Sequence, residues 1–222
     1  MHVKHPFVIG ISGTHGTGKS SIFDALAFTS VPPFNVDRTQ LSRSAQKNLG
    51  WDSLSVAGAS IENAWALQDS VIDALIRRDE AIVQSEKITV VERSPLDVWA
   101  YMLMWCEKLD IDPSSDRVQE FKTKCIDATK RYSHIAIVPA SPEVPFKFDP
   151  HRGDEKFRQS VEEDILRLAL EILDVNNHYD NHVSFTFVKQ VSIRDRALEI
   201  KEIIYDAGHR YMSKALYASG PN

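Results

Sequence analysis

Several kinds of segment that mark special classes of protein are missing from this 222-residue sequence. No stretch approaches the roughly 18 consecutive apolar residues that a membrane span needs. The N-terminus also lacks the order of charged, apolar and small residues that marks a signal peptide. We therefore expect a cytoplasmic protein with no membrane contact.

The chain is also poor in cysteine. Cys106 and Cys125 are its two cysteines, and neither belongs to a C-x-x-C pair or a Cys/His cluster. Their isolation argues against a disulfide framework and against a zinc site. A reducing compartment fits this usage best.

An excess of positive charge is absent as well. The chain carries 26 Lys and Arg against 31 Asp and Glu, a formal net charge of −5. Because binding to phosphate backbones requires clustered Lys and Arg, this balance argues against a dedicated nucleic-acid surface, although it leaves a local basic cleft open. The length suits one substantial domain, and no internal repeat or long linker divides it, so we predict a single domain over residues 1–222.

What the sequence does contain is a complete phosphate-binding loop, G-x-x-x-x-G-K-S, from Gly13 to Ser20. The apolar run 7–11 before it predicts a buried strand, and the spacing of residues 21–27 after it predicts an amphipathic helix. Glycines let successive backbone N–H groups point into one concavity, and the helix N-terminus adds positive charge there. The loop therefore predicts binding of a nucleoside triphosphate.

Individual roles follow from the chemistry of this loop. Lys19, expected to face solvent, would reach the β- and γ-phosphates of ATP, and the Ser20 hydroxyl would ligate Mg²⁺. The predicted nucleotide-binding residues are Gly13, Thr14, His15, Gly16, Thr17, Gly18, Lys19, Ser20 and Ser21.

Apolar runs alternate with helical patterns along the rest of the chain. Runs at 87–91, 134–138 and 183–188 predict further strands, with a weaker one at 34–36. Apolar stripes predict a long helix that ends near Arg78, another through residues 157–172, a helix that begins at Pro95, and one or two helices over 193–216. This alternation predicts an α/β fold: a three-layer α/β/α P-loop NTPase fold with a parallel sheet of about five strands.

Two predicted strands end in carboxylates at the edge of the sheet where the loop also lies. Glu92 ends the strand after the long helix, where it could hold Mg²⁺, and the adjacent Arg93 could bind a transferring phosphate or an acceptor hydroxyl. Asp37 ends the strand after the first helix. There it either accepts the proton of the attacking hydroxyl or is a turn residue that opens the following helix; the residues leave both readings open. Arg38 is assigned to the same acceptor site.

Residues 148–158 predict a mobile lid, because Gly and Pro surround cationic residues just before an amphipathic helix. Arg152 and Arg158 would close over the phosphates and stabilise charge in the transition state. An ordinary solvated loop is the alternative. Gln68 is a polar residue in an apolar helical stripe, which either reads the edge of a bound base or borders the stripe.

These residues together resemble the P-loop kinases of small metabolites. The likeness is to deoxynucleoside kinases and to the nicotinamide-riboside-kinase-like group that is often labelled as an AAA-type ATPase domain. Its sharp parts are Gly13–Ser20 and Glu92-Arg93-Ser94, since nucleoside kinases carry the same Glu-Arg-Ser at the end of the third strand. The resemblance implies that Asp37 is the base, that Arg93 contacts the acceptor, and that Gln68 reads the base.

The expected activity is a phosphotransfer from ATP, with Mg²⁺, to a nucleoside or nucleotide-like acceptor. Two alternatives stay open: a phage-type kinase of hydroxymethylated pyrimidines within DNA, and a non-kinase NTPase that acts as a switch or regulator. A DNA acceptor would need a basic rim, for which the candidates are Lys122, Lys124, Lys130 and Arg131, unless these form a solvated helix face. A homodimer is compatible with this reading.

Overall fold

A computed structural model describes residues 8–27, 34–85, 87–144, 155–176 and 183–218 of the chain. Five strands form one sheet in the order β2-β3-β1-β4-β5, and every pairing is parallel. The strands are β1 (Val8–Ser12), β2 (Phe34–Asp37), β3 (Ile88–Glu92), β4 (Tyr132–Ile137) and β5 (Ser184–Phe187). Since parallel strands carry their carboxyl ends at one edge, the sheet collects the residues that follow them into one cleft.

Seven α-helices connect and cover these strands in the described parts of the chain. They are α1 (Lys19–Ala27), α2 (Leu41–Asn48), α3 (Ile61–Ser85), α4 (Pro95–Lys108), α5 (Asp116–Thr129), α6 (Glu155–Asn176) and α7 (Ile193–Ala218), and a 3-10 helix spans Leu54–Ala59. None of the helices in the described ranges combines the length and apolar character needed to cross a membrane.

Alternation along the strands divides the core into two layers. Ile9 and Ile11 of β1 pack with α1 and α7 on one face, whereas Val8 packs on the other face with helices α2 to α6. Successive strand residues point to opposite faces, so helices must cover both. The three-layer α/β/α fold with a five-stranded parallel sheet is therefore confirmed.

One helix boundary differs from that predicted. α3 continues to Ser85 instead of ending near Arg78, because Asp79 and Ile82 beyond that arginine are also buried and extend the apolar face. Of the one or two helices predicted after β5, the structure has one, α7. The predicted start of α4 at Pro95 is confirmed, with Ser94 as its N-cap.

Candidate functional site

The phosphate-binding loop joins β1 to α1 and folds back on the end of β4. Gly13 has a φ of +148°, and a Cβ there would collide with the carbonyl oxygen of Val138, so this position requires glycine. Within the loop the Thr17 hydroxyl donates to the Thr14 carbonyl at 3.1 Å. His15 is also buried, and its ring lies 5.6 Å, centroid to centroid, from the ring of Phe157 on α6.

Lys19 does not face solvent as predicted. It is 4% exposed, and its ammonium donates to the carbonyls of Gly13 at 2.6 Å and Thr14 at 2.5 Å. The Thr17 hydroxyl accepts a further contact at 3.2 Å. The loop curls so tightly that its own carbonyls surround the ammonium, which fixes one positive charge inside the loop.

Ser20 and Glu92 are brought together across two elements. The Ser20 hydroxyl, at the start of α1, donates to Glu92 Oε1 at the end of β3 over 3.5 Å. The parallel register of β1 and β3, with Ile11 opposite Glu92, places these residues at the same edge. A hydroxyl and a carboxylate are both hard oxygen ligands, so this pair fits Mg²⁺ held by few protein ligands.

Arg93 turns from β3 toward the phosphate-binding loop. It has a φ of +73°, the left-handed region that L-residues other than Asn and Asp seldom adopt. Its Nη1 donates to the Gly13 carbonyl at 2.9 Å and to Asp97 Oδ1 at 2.8 Å. Burial opposes its charge, but Tyr101 and Asp97 outweigh burial and raise the pKa of the guanidinium. Arg93 is therefore a fixed cation beside the loop.

Beneath this end of β3 lies a buried polar network on α3 and β4. Arg78 donates to the carbonyls of Glu92 at 3.0 Å and Arg93 at 3.3 Å, and to the Tyr132 hydroxyl at 3.0 Å. It also pairs with the fully buried Asp79 at 2.9 Å. Burial raises the pKa of Asp79, and Arg78 opposes that rise. The network therefore supplies hydrogen-bond donors to the backbone carbonyls where β3 ends.

The two residues assigned to the acceptor side at β2 have local partners. Asp37 ends β2, and its Oδ1 accepts the Thr39 N–H at 2.8 Å, as a turn residue does. Its role as a proton acceptor stays a prediction. Arg38 pairs with Asp24 of α1 at 2.5 Å and donates to the Ser20 carbonyl at 3.4 Å. Arg38 is thereby placed against the helix that follows the phosphate-binding loop.

Gln68 lies further from these groups along α3. It is 4% exposed, so its amide belongs to the buried face of the helix. Ten residues separate it from Arg78, which is about 15 Å along the helix axis. Its role as a reader of the base stays a prediction.

The candidate lid is described only in part. Arg152 lies outside the described residues, whereas residues 155–158 form the first turn of α6 and are not loop. Arg158 is 6% exposed and forms an ion pair with Glu155. Because Phe157 contacts His15, this helical turn lies against the phosphate-binding loop.

α7 supports the loop from the side opposite α4. Arg196 is 1% exposed and donates to the carbonyls of Thr17 at 2.8 Å and Gln190 at 2.7 Å. A Cβ on Gly18, whose φ is +87°, would collide with the Ile193 side chain. The end of the loop is thus packed directly onto α7 and the segment before it.

The four cations considered as a basic rim all meet carboxylates. Lys122 contacts Glu171, Lys124 contacts Asp73, Lys130 contacts Asp127 and Arg131 contacts Glu80, at 2.6, 2.7, 2.5 and 2.9 Å. Each charge is balanced locally; Lys122 and Lys124 lie on α5, and Lys130 and Arg131 follow its end.

A family model described as an AAA domain matches residues 8–185. The chain belongs to the AAA domain family. No curated protein is similar enough in sequence to match the chain.

Three solved structures resemble this AAA domain in fold. A thymidylate kinase from Candida albicans has a TM-score of 0.57 at 15% identity, covering 91% of this chain and 92% of that one. A thymidylate kinase from Ehrlichia chaffeensis has a TM-score of 0.51 at 16% identity, with coverages of 89% and 97%. The NadR protein in complex with NR has a TM-score of 0.58 at 16% identity, with coverages of 93% and 51%. These likenesses support the P-loop NTPase fold.

Sequence reasoning missed three residues that contact the phosphate-binding loop or the end of β3 in this AAA domain: Asp97, Arg78 and Arg196. Ser94-x-x-Asp97 has the spacing of a capping box, which was a usable signal for a helix start but not for contact with the loop. The contact between Arg196 and Thr17 spans 179 positions, so no local pattern could reveal it.

Proposed function

We propose that this AAA domain is an ATP- and Mg²⁺-dependent kinase that transfers the γ-phosphate to a small nucleoside or nucleotide-like acceptor. The observation that carries the proposal is the convergence of Ser20, Glu92 and Arg93 on the phosphate-binding loop. A phosphate cradle, a hydroxyl–carboxylate pair and a fixed arginine at one strand edge are the parts that phosphoryl transfer uses.

In this proposal the donor side is held by the loop. Backbone N–H groups of residues 13–20 bind the phosphates, and Lys19 supplies a fixed positive charge to their developing negative charge. Ser20 and Glu92 would hold Mg²⁺. The metal would neutralise charge on the β- and γ-phosphates.

The acceptor side is assigned to the ends of β2 and β3. Asp37 would take the proton of the acceptor hydroxyl as its oxygen attacks the γ-phosphorus and ADP leaves. Arg93 would stabilise the transferring phosphoryl group. Arg158, with Arg152 of the candidate lid, would add charge from the α6 side, and Gln68 and Arg38 would contribute to acceptor recognition.

Two features support a small acceptor over a polymer. The neighbours in fold are thymidylate kinases and a NadR protein bound to NR. The candidate basic rim is neutralised by carboxylates, and the chain carries a net charge of −5. Binding to a polymer backbone would instead favour unpaired, clustered Lys and Arg.

Radiolabelled ATP with Mg²⁺ tests the proposal against a panel of acceptors. The panel contains nucleosides, nucleoside monophosphates, nicotinamide riboside, and DNA with and without 5-hydroxymethyl pyrimidines. We expect label in one class of free nucleoside or nucleotide and acceleration of ADP release by that acceptor. Label only in hydroxymethylated DNA would replace the small acceptor by a polymer, and hydrolysis that no acceptor accelerates would point to a switch-like NTPase.

A further inference from the structure

A single buried carboxylate, that of Asp97 on α4, joins the phosphate-binding loop to Arg93. Asp97 is 1% exposed. Its Oδ1 accepts the Gly13 N–H at 3.1 Å and the Arg93 guanidinium at 2.8 Å. Its Oδ2 accepts the Ser94 N–H at 2.9 Å.

Gly13, Arg93 and Asp97 each contact the other two. Gly13 donates its N–H to Asp97, while its carbonyl accepts from Arg93 Nη1 at 2.9 Å. Arg93 is thus held at two points, one on the loop and one on α4. Such a two-point attachment limits where the guanidinium can lie, because both of its partners, Gly13 and Asp97, are buried.

Helix capping alone does not require this arrangement. In the capping box of α4 the oxygen that faces the Ser94 N–H is Oδ2, which leaves Oδ1 for the loop and Arg93. Ser192 and Asp195 repeat the Ser-x-x-Asp spacing at the start of α7, where the Ser192 hydroxyl donates to Asp195 at 2.7 Å. Asp195 is exposed, whereas Asp97 is buried between the loop and Arg93.

We propose that Asp97 is a positioning residue that sets Arg93 relative to the phosphate-binding loop, so that donor and acceptor sides keep one geometry. This inference rests on the proposed function only because the effect of Asp97 is measured on the proposed phosphoryl transfer. Without Asp97, Arg93 would keep its charge but lose one of its two anchors. Misplacement of a catalytic group by about 1 Å is enough to cost up to roughly a hundredfold in rate.

A double-mutant cycle on turnover tests the inference. We expect Asp97→Asn and Arg93→Ala each to lower kcat by roughly tenfold or more, with the KM for ATP within about threefold of wild type. The double variant should lose no more than Arg93→Ala alone, because Asp97 acts through Arg93. Losses that multiply in the double variant would overturn the inference.

Asp195→Asn is the matched control, since it removes the same residue type from the same helix position away from Arg93. It should leave kcat unchanged, and the Asp195→Asn/Arg93→Ala double variant should turn over at the rate of Arg93→Ala. If Asp97→Asn does not fold, Asp97→Glu enters the same cycle, because Glu keeps a carboxylate at a position that favours it.

The two proposals fail in different ways. If the wild-type protein shows no acceptor-dependent transfer, the proposed function is contradicted. The double-mutant cycle is then measured with ATP hydrolysis as the reaction, and the same outcomes decide about Asp97. Multiplying losses in either reaction contradict the role of Asp97 and leave the proposed function intact.

Discussion

Asp37 and Glu92 end neighbouring strands of the sheet, yet their carboxylates meet different partners. Asp37 accepts the Thr39 N–H, whereas Glu92 accepts the Ser20 hydroxyl beside the phosphate-binding loop. The same functional group, a carboxylate, thus has two different surroundings, and we propose the role of proton acceptor for Asp37 and that of metal ligand for Glu92. Substitution to the matching amide separates these roles, since it removes charge and keeps an acceptor oxygen.

We expect Asp37→Asn to lower kcat by about a hundredfold or more, the usual range for loss of a general base, and to leave ATP binding unchanged. The turn at Thr39 survives because the Asn carbonyl still accepts its N–H. Glu92→Gln should also lose turnover, but raising the Mg²⁺ concentration should partly restore it. Steady-state kinetics across a Mg²⁺ titration compare the two variants. If Asp37→Asn turns over at the wild-type rate, Asp37 only holds the turn at Thr39.

At the scale of elements, α6 and α7 approach the loop from different directions. The first turn of α6 contacts the loop through Phe157 and His15, and α7 reaches it through Arg196. The loop therefore has little freedom of its own, and its shape depends on helices far along the chain.

Arg158→Ala tests the α6 contact. If Arg158 stabilises charge that develops during transfer, we expect kcat to fall by roughly tenfold or more while the Kd for ATP changes much less. Arg167→Ala is the control, because Arg167 makes an i,i+3 ion pair on the same helix, as Arg158 does, but is 68% exposed. Equal effects of the two substitutions on kcat would assign Arg158 a structural role.

Arg196→Lys tests the α7 contact. A lysine ammonium cannot reach both the Thr17 and Gln190 carbonyls as the planar guanidinium does, so one buried carbonyl loses its partner. We expect about 1–3 kcal/mol of lost stability in urea unfolding and weaker ATP binding. Arg194→Lys, at an exposed position two residues earlier, should change neither. Unchanged ATP affinity in Arg196→Lys would show that the loop keeps its shape without this contact.

At the scale of the whole molecule, both cysteines lie in the hydrophobic core on the face of the sheet where Val8 packs. Cys106 is 3% exposed and Cys125 is fully buried. Burial raises the pKa of the Cys106 thiol to about 11 and raises that of Cys125 further. Both thiols are therefore protonated and shielded at neutral pH.

We expect neither thiol to react with a disulfide reagent at pH 8 in the folded protein, and both to react in denaturant. Because burial raises the folded-state pKa of the Cys106 thiol from its ordinary value of 9.0 to about 11, its contribution to stability is fully present below pH 9.0 and is lost as the pH rises through about 11. Stopped-flow labelling and urea midpoints between pH 8 and 11 measure both effects. Rapid labelling of one thiol in the folded state would contradict this burial.

Much of the fold was predictable because its signals are local. Five apolar runs and the helical stripes between them indicated a parallel α/β sheet, and each observed strand overlaps a predicted run. The end of α3 was not predictable in the same way. The residues beyond Arg78 are polar enough to resemble a helix end, and only their burial against the sheet shows why the helix continues to Ser85.

The sequence by itself determined the phosphate-binding loop, because its glycines, Lys19 and Ser20 act through one continuous stretch of backbone. It also determined that Asp37 and Glu92 end strands. Only the tertiary structure decided what holds them: the contact of Gly13 with Asp97 spans 84 positions and that of Thr17 with Arg196 spans 179. A parallel sheet brings distant strand ends to one edge, so the supports of the site are set by topology and carry no pattern along the chain.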